Sequence, residues 1–184
     1  MAKTITVPPC KYWDSKREIF FYYPEKPITF QIEHSLVSLS KWESKWKKPF
    51  LGKAKDRTAE EMCDYIRCMT ITQNIDPEIY YFLPDSVMKE ITDYIEDTMT
   101  ATTFSNTSNE KPSREVVTSE LIYYWMVALN IPFTCEKWHL NRLMTLIRIC
   151  SIKNSPQKKM SPGEIRTRNQ QLNAARRKAM HSKG

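Results

Sequence analysis

The first 33 residues place apolar and polar side chains in short alternating runs, which is the period of a β-strand. Residues 3–7 (KTITV) alternate in this way and are followed by two prolines. Residues 18–23 and 28–32 are rich in aromatic and β-branched side chains, and the prolines between them suit a turn better than a central strand. The pattern predicts a small N-terminal β element of two or three antiparallel strands within residues 1–33.

From residue 34 onward the apolar positions recur at helical spacing. Ser40 and Glu43 match the spacing of a capping box, so a short helix is expected to begin there and to end at Pro49. Its apolar face would carry Leu39, Trp42 and Trp46.

Local capping and proline signals predict three further helix starts. Thr58 and Glu61 form a second capping box, and Asp76 with Pro77 forms an N-cap followed by proline at the first position of a short turn. Pro84 opens another helix, whose inward side chains are expected to be Val87, Met88, Ile91, Tyr94 and Ile95. The polar residues 98–113 that follow are expected to form a mobile loop.

The most apolar helix is expected at residues 114–130, because residues 121–127 (LIYYWMV) are apolar on every side. After Pro132, Thr134 is expected to cap a helix that runs to Ile152. These two helices would form an αα-hairpin at the centre of the core. The side chains predicted to be buried in the second helix are Trp138, Leu143, Leu146, Ile147 and Cys150.

Charge separates a body from a tail. The chain carries 28 Lys and Arg against 21 Asp and Glu, and residues 153–184 hold nine of the basic residues but one acid, Glu164. The tail therefore has a net charge of +8 and residues 1–152 a net charge of −1.

The expected organisation is mainly α, with a globular domain at 1–152 (β element 1–33, helical body 34–152). A linker and a weakly amphipathic helix from Ser161 to about Lys178 would make up 153–184.

Composition and motifs argue against several classes. Three glycines are too few for a nucleotide fold built on glycine-rich loops, and no nucleophile-elbow, Walker or dinucleotide motif is present. His34, His139 and His181 show no acid–base spacing. Cys135 and His139 lie four apart on one predicted helix, but zinc sites usually need two paired sets of ligands. We predict no enzyme activity, no cofactor and no metal.

The cysteines and the N-terminus bear on the compartment. Five cysteines without a hydrophobic signal segment argue for reduced, mostly buried thiols. No run of about 18 apolar residues exists, so no membrane partner is expected. The predicted location is the cytoplasm.

Five short stretches resemble a family of small proteins from the tail-gene region of tailed bacteriophages with long non-contractile tails, the siphophages. They are residues 33–38 (EHSLVS), 41–46 (KWESKW), 48–51 (KPFL), 122–126 (IYYWM) and 138–143 (WHLNRL). The resemblance spans roughly residues 28–180 and is strongest to tail assembly chaperones.

The resemblance implies a role without catalysis, in the cytoplasm of the bacterial host. Such chaperones are thought to coat the long helical tape-measure protein until tail-tube subunits replace them, and they are often made in two forms by frameshifting. The expected partner is the tape-measure protein, with self-association left open. Candidate interaction residues are Trp42, Trp46, Tyr123 and Tyr124, since Trp and Tyr dominate binding hot spots.

Two other functions stay open. One is a structural protein of the virion, such as a head–tail connector or tail component. The other is nucleic-acid binding through the basic tail, expected to be weak and non-specific. The same tail could instead be a solvated surface segment or dock on an acidic or helical protein. Its candidate contacts are Arg166, Arg168, Arg176, Arg177 and Lys178.

Overall fold

The computed structural model describes residues 2–51, 57–104, 116–154 and 162–180, with the side chains of Pro162 and Glu164 left out. Six α-helices follow a small antiparallel β element within these residues, which confirms the predicted fold class. The chain divides into two compact units, Met1–Ser151 and Ile152–Gly184. In the described parts of the chain, none of the helices combines the length and the apolar character needed to span a membrane.

The β element is a two-stranded ribbon in two halves. Strand β1 (Lys3–Val7) pairs with β4 (Ile28–Ile32), and β2 (Cys10–Asp14) pairs with β3 (Ile19–Tyr23), both antiparallel. The prediction missed β2, because both its faces carry aromatic rings and so the apolar–polar alternation is lost. On the inner face of the first half, four side chains are fully buried: Ile5, Val7, Phe30 and Ile32.

Helix α1 (Leu36–Trp46) begins four residues before the predicted capping box. Ser35 is the N-cap, and its hydroxyl and that of Ser38 satisfy the two backbone N–H groups of a capping box reciprocally. The Ser40–Glu43 assignment is therefore wrong. The helix ends at Trp46, before Pro49, because Lys47 adopts a left-handed conformation at φ 54° and closes the last turn onto Glu43.

The next three local signals are confirmed. Helix α2 (Ala59–Met69) has the Thr58–Glu61 capping box, and a 3-10 helix at Pro77–Tyr81 has Asp76 as its N-cap. Helix α3 (Asp85–Glu96) follows Pro84 and buries Val87, Ile91 and Tyr94, with Met88 and Ile95 half-buried. Residues 98–104 are neither helix nor strand, and residues 105–113 of the expected loop lie outside the described residues.

The predicted αα-hairpin is wrong. Helix α4 (Ser119–Ala128) begins at a Thr118 cap, and α5 (Leu140–Asn154) begins only after a 3-10 helix at Phe133–Lys137 that contains Thr134. Helix α4 packs against α1. Leu143 and Ile147 of α5 are buried as predicted, whereas Leu146 and Cys150 are half-buried. Trp138, which follows the 3-10 helix and precedes α5, is also half-buried.

One hydrophobic core joins the inner face of the ribbon to helices α1 to α5. The ribbon reaches the helices through backbone pairing as well, since the Glu33 amide donates to the Met69 carbonyl at 2.8 Å and the Ile71 amide to the Gln31 carbonyl at 2.9 Å. Helix α6 (Pro162–Ala179) lies in the second unit, and all its described side chains are exposed. It begins at the predicted proline; Ser161 lies outside the described residues.

Candidate protein-interaction surfaces

Trp42 belongs to the core and not to a binding surface. Its side chain is 1% exposed, and its indole N–H donates to the Glu61 carbonyl at 2.8 Å. The ring also meets Phe50 edge-on, with centroids 5.1 Å apart. A partner could reach Trp42 only by opening the α1–α2 contact, so we withdraw it from the interaction candidates.

Trp46 is half-buried in a polar network between the same two helices. Its indole N–H donates to the Asp64 carboxylate at 2.8 Å, and Lys45 forms an ion pair with the same carboxylate. Lys48 pairs in turn with the buried Glu61. These contacts fix Trp46 as part of the α1–α2 packing, with one part of its ring left at the surface.

Glu43 is a buried carboxylate that links two distant segments. One oxygen accepts the Phe50 amide at 2.8 Å and the other accepts the Ser119 amide at 2.7 Å. Ser119 is the first residue of α4, so the carboxylate caps the positive end of that helix from 76 residues away. Sequence reasoning assigned Glu43 to the capping box of α1 and missed this role.

Helix α4 carries an exposed face in spite of its apolar composition. Tyr124 is 65% exposed and Val127 59% exposed, and they lie three residues apart on one side of the helix. Tyr123 faces the other way: its hydroxyl donates to Glu136 at 2.9 Å, and burial together with this carboxylate raises its pKa to about 12. Of the four predicted interaction aromatics, Tyr124 is therefore the most accessible.

A second exposed aromatic face, which sequence reasoning missed, lies on the β2–β3 half of the ribbon. Trp13 is 52%, Phe20 60% and Tyr22 62% exposed, and the Trp13 and Phe20 rings contact across the strands with centroids 4.8 Å apart. The ammonium of Lys11 lies 4.1 Å from the centre of the Phe20 ring. No apolar–polar alternation marks this face in the sequence, because both strands carry aromatic side chains on both faces.

Two buried histidines that are 105 residues apart in sequence lie side by side. The rings of His34 and His139 have centroids 5.0 Å apart. The hydroxyl of Tyr65 is 2.6 Å from His34 Nδ1, and His139 Nε2 donates to the Tyr94 carbonyl at 2.9 Å. Burial, and secondarily the charge of His139, lowers the pKa of His34 to about 3. Sequence spacing did not predict this pair.

The histidine pair is built for packing and not for acid–base work. Both rings are 2% exposed, and burial also lowers the pKa of His139. The second ring nitrogen of His139 finds no partner among the residues that the structure describes. Burial favours the neutral form of both rings, and the hydrogen bond from His139 to the Tyr94 carbonyl ties the start of α5 to α3. His181 lies outside the described residues.

Neither the cysteines nor a polar pocket beside Arg67 forms a reactive arrangement with the residues that the structure describes. All five cysteines are free; Cys135 is buried and the other four are only half-buried, fewer buried thiols than expected. No cluster of three metal-binding side chains occurs in the described part of the chain. A shallow pocket of about 200 Å³ beside Arg67 and Asn74 is lined without cysteine, histidine or carboxylate.

The basic side chains of α6 do not form a single stripe. At about 100° per residue, Arg166 and Arg177 share one side of the helix, whereas Arg176 and Lys178 point elsewhere. Arg168 falls on the thin apolar side that holds Ile165 and Leu172, which are both 46% exposed. Cations distributed around a helix can meet phosphates from several directions but do not define one groove-binding face.

No family model, curated protein or solved structure matches this chain. Two of the stretches that resemble the phage family, 33–38 and 138–143, meet in the structure, since the Leu140 amide donates to the His34 carbonyl at 2.8 Å and Ser35 forms a backbone bridge with His139. Those stretches are therefore core segments. A functional proposal depends on the exposed surfaces.

Proposed function

We propose that the protein is a non-enzymatic tail assembly chaperone of a siphophage, acting in the host cytoplasm, and that it binds the tape-measure protein through the exposed face of α4. The observation that carries the proposal is the exposure of Tyr124 and Val127 on α4, the helix that contains the family-like stretch 122–126. Tyrosine is one of the residue types enriched in binding hot spots, and the exposed Val127 beside it adds apolar area that a partner could bury.

The charge of the body predicts how this contact should behave. Residues 1–152 are nearly neutral, and the described face of α4 presents apolar side chains with one acid, Glu120, in its first turn. Recognition should therefore be driven mainly by burial of apolar area. Added salt screens exposed charges and should change the affinity little.

The test is a calorimetric titration of the full chain with the tape-measure protein encoded by the same phage. Tyr124→Ser should weaken binding by at least about tenfold, the loss of a hot-spot side chain. Tyr81→Ser is the matched control, because Tyr81 is 64% exposed and lies on the 3-10 helix before α3. Equal affinities for the two variants, or no binding by the unmodified chain, would refute the proposal.

A different measurement distinguishes the chaperone from a structural component of the virion. A chaperone leaves the tail when assembly ends, so mass spectrometry of purified virions should not detect this protein at the copy number of tail subunits. Stoichiometric recovery from the virion would instead assign a structural role.

Nucleic-acid binding through the exposed cations of α6 is the second candidate function. Binding of duplex DNA by the full chain should be weak and should fall steeply with salt, by about 0.9 in log K per phosphate contact for each unit of log salt. Replacing Arg176, Arg177 and Lys178 with alanine should abolish most of it and leave tape-measure binding unchanged. Tight DNA binding with no tape-measure binding would favour this second function over the chaperone.

A further inference from the structure

A small polar pocket lies where the end of α2, the loop that follows it and the 3-10 helix Pro77–Tyr81 come together. Three of the side chains that line it can donate hydrogen bonds: Arg67, Thr72 and Asn74. Among the residues that the structure describes, no carboxylate lines the pocket. Because Arg67 is the charged member of this lining, the pocket suits a ligand that is negatively charged and accepts hydrogen bonds.

The Arg67 guanidinium is held only loosely by the fold. Its ion-pair partner, Asp64, lies 3.9 Å from one guanidinium nitrogen, which is longer than a hydrogen bond. Asp64 also has closer partners, because Lys45 pairs with one carboxylate oxygen and the Trp46 indole N–H donates to the other at 2.8 Å. The guanidinium therefore keeps most of its five N–H donors for a ligand.

Thr72 and Asn74 add neutral donors beside this cation. The Thr72 hydroxyl oxygen accepts the Gln31 backbone amide at 2.8 Å, a bond that fixes the side chain but does not use its O–H. Asn74 adopts a left-handed conformation at φ 59°, so the chain turns sharply where its side chain lines the pocket.

The fold holds this loop in place at both ends. At its start the Ile71 amide donates to the Gln31 carbonyl at 2.9 Å. At its end the Asp76 carboxylate accepts the Glu78 amide at 3.0 Å and the Tyr23 hydroxyl at 2.9 Å. The pocket is therefore largely formed before a ligand arrives, which lowers the entropic cost of binding.

The negative end of the α2 dipole opposes an anion here only weakly, because the last carbonyls of the helix are occupied. The carbonyls of Ile66 and Arg67 both accept the Thr70 amide at 3.1 Å, and the Met69 carbonyl accepts the Glu33 amide at 2.8 Å.

Tyr80, which lines the pocket and is 5% exposed, reports the local potential. Burial raises the pKa of its hydroxyl, whereas the Thr70 hydroxyl and the Arg67 charge act in the opposite direction. Arg67 therefore favours negative charge at the pocket wall.

Size and the remaining lining restrict the ligand further. The pocket holds about 200 Å³, room for roughly seven non-hydrogen atoms at the 30 Å³ that a water occupies in the liquid. Sites for drug-sized ligands are larger, at about 300–1,000 Å³. Ile75 and Pro77 give the pocket an apolar side next to its donors. The ligand is therefore small and has one charged end and one apolar end.

We propose that this pocket binds a carboxylate carried on a short apolar group, either a free small acid or the C-terminal end of a polypeptide. The planar guanidinium of Arg67 matches the two oxygens of a carboxylate, and Thr72 and Asn74 donate beside it. A phosphate dianion fits less well, because one cation faces it and the carboxylates of Asp64 and Asp76 are nearby. The site does not involve the face of α4 and goes beyond the proposed chaperone role.

The test is an NMR titration of the full chain, labelled with ¹⁵N, with 3-methylbutanoate, a short branched carboxylate. The backbone amide signals of Thr72 and Asn74 should shift and saturate, with a Kd on the order of 1 mM for so small a ligand. The neutral analogue 3-methylbutanamide has the same shape without the charge and should bind at least about tenfold more weakly.

Arg67→Gln should raise the Kd for 3-methylbutanoate by about tenfold or more, because it removes the charged donor. Arg17→Gln is the matched control. Arg17 is also an exposed arginine in a loose ion pair with an acid three residues away, 3.8 Å from Asp14, but it lies in the turn between β2 and β3. Circular dichroism checks that both variants are folded, as expected for substitutions of exposed side chains.

Two further ligands identify the source of the carboxylate. A tripeptide that ends in leucine is compared with the same peptide amidated at its C-terminus. If the free peptide binds more tightly than 3-methylbutanoate and the amidated one does not bind, the natural ligand is a chain terminus. If 3-methylbutanoate binds more tightly than either peptide, the ligand is a free small acid. Both results support a carboxylate site.

Three results would overturn the inference. One is the absence of a saturable shift with every carboxylate, and another is equal binding of 3-methylbutanoate and its amide or equal effects of Arg67→Gln and Arg17→Gln. The third is tighter binding of inorganic phosphate than of 3-methylbutanoate. Arg67→Gln leaves the face of α4 intact and should not change tape-measure binding. The carboxylate site and the chaperone proposal therefore fail separately.

Discussion

Acidification should destabilise the protein through its buried histidines well before the carboxylates titrate. In the folded state the His34 ring lies against the Tyr65 hydroxyl and the His139 ring, and neither group carries a negative charge that would stabilise a protonated imidazole. Burial therefore holds the pKa of His34 at about 3. In the unfolded chain the imidazole titrates near 6.5.

The sign and size of the effect follow from linkage between protonation and folding. Because the folded pKa is depressed, the stability contributed by neutral His34 is fully present above pH 6.5 and is lost as pH falls toward 3. Between pH 7 and pH 5, a shift from 6.5 to about 3 removes about 2 kcal/mol from the free energy of unfolding. For a chain of this length, that corresponds to a fall of about 4–8 °C in Tm.

The assay is urea unfolding at pH 7 and pH 5 for the unmodified chain and for His34→Gln. Glutamine keeps an acceptor for the Tyr65 hydroxyl but does not titrate, so the variant should lose about 2 kcal/mol less than the unmodified chain over this interval. The lowered pKa of His139 adds loss in the same direction to both proteins. Equal losses in the two proteins, or an NMR titration of His34 near pH 6.5, would refute the reasoning.

Two further substitutions test the packing around the candidate surfaces. Glu43→Gln places an amide N–H₂ against either the Phe50 or the Ser119 amide, and should lower the free energy of unfolding in urea by about 1–3 kcal/mol. Glu60→Gln, at an exposed position of α2, should lower it by less than about 0.5 kcal/mol. Similar losses for both variants would contradict the bridging role of Glu43. Trp138→Ala should cost about 1–3 kcal/mol, less than the 3–5 of a fully buried ring, because Trp138 is half-buried beneath the Arg142 guanidinium, 4.4 Å from its centre. A loss below about 0.5 kcal/mol would instead place that ring at the surface.

The interaction candidates show the limit of periodicity as a guide to function. Tryptophan and tyrosine are equally suited to a core and to a hot spot, and the sequence contains no signal that separates Trp42, which is buried, from Tyr124, which is exposed. In α4 the difficulty is greatest, because a helix that is apolar all round has no polar face to show which side meets solvent. Its packing against α1 decided which side chains stayed outside.

The sequence by itself determined those features whose hydrogen bonds or side-chain pattern involve only a few consecutive residues. The Thr58–Glu61 capping box, the Asp76–Pro77 start and the strand at Lys3–Val7 were readable because each depends on bonds or alternation within one short segment. The tertiary structure decided the remainder. For three features the local sequence offers other arrangements that are equally favourable: the start of α1, the Glu43 bridge to Ser119 and the pairing of His34 with His139. Only burial, which makes an unpaired polar group costly, selects among them.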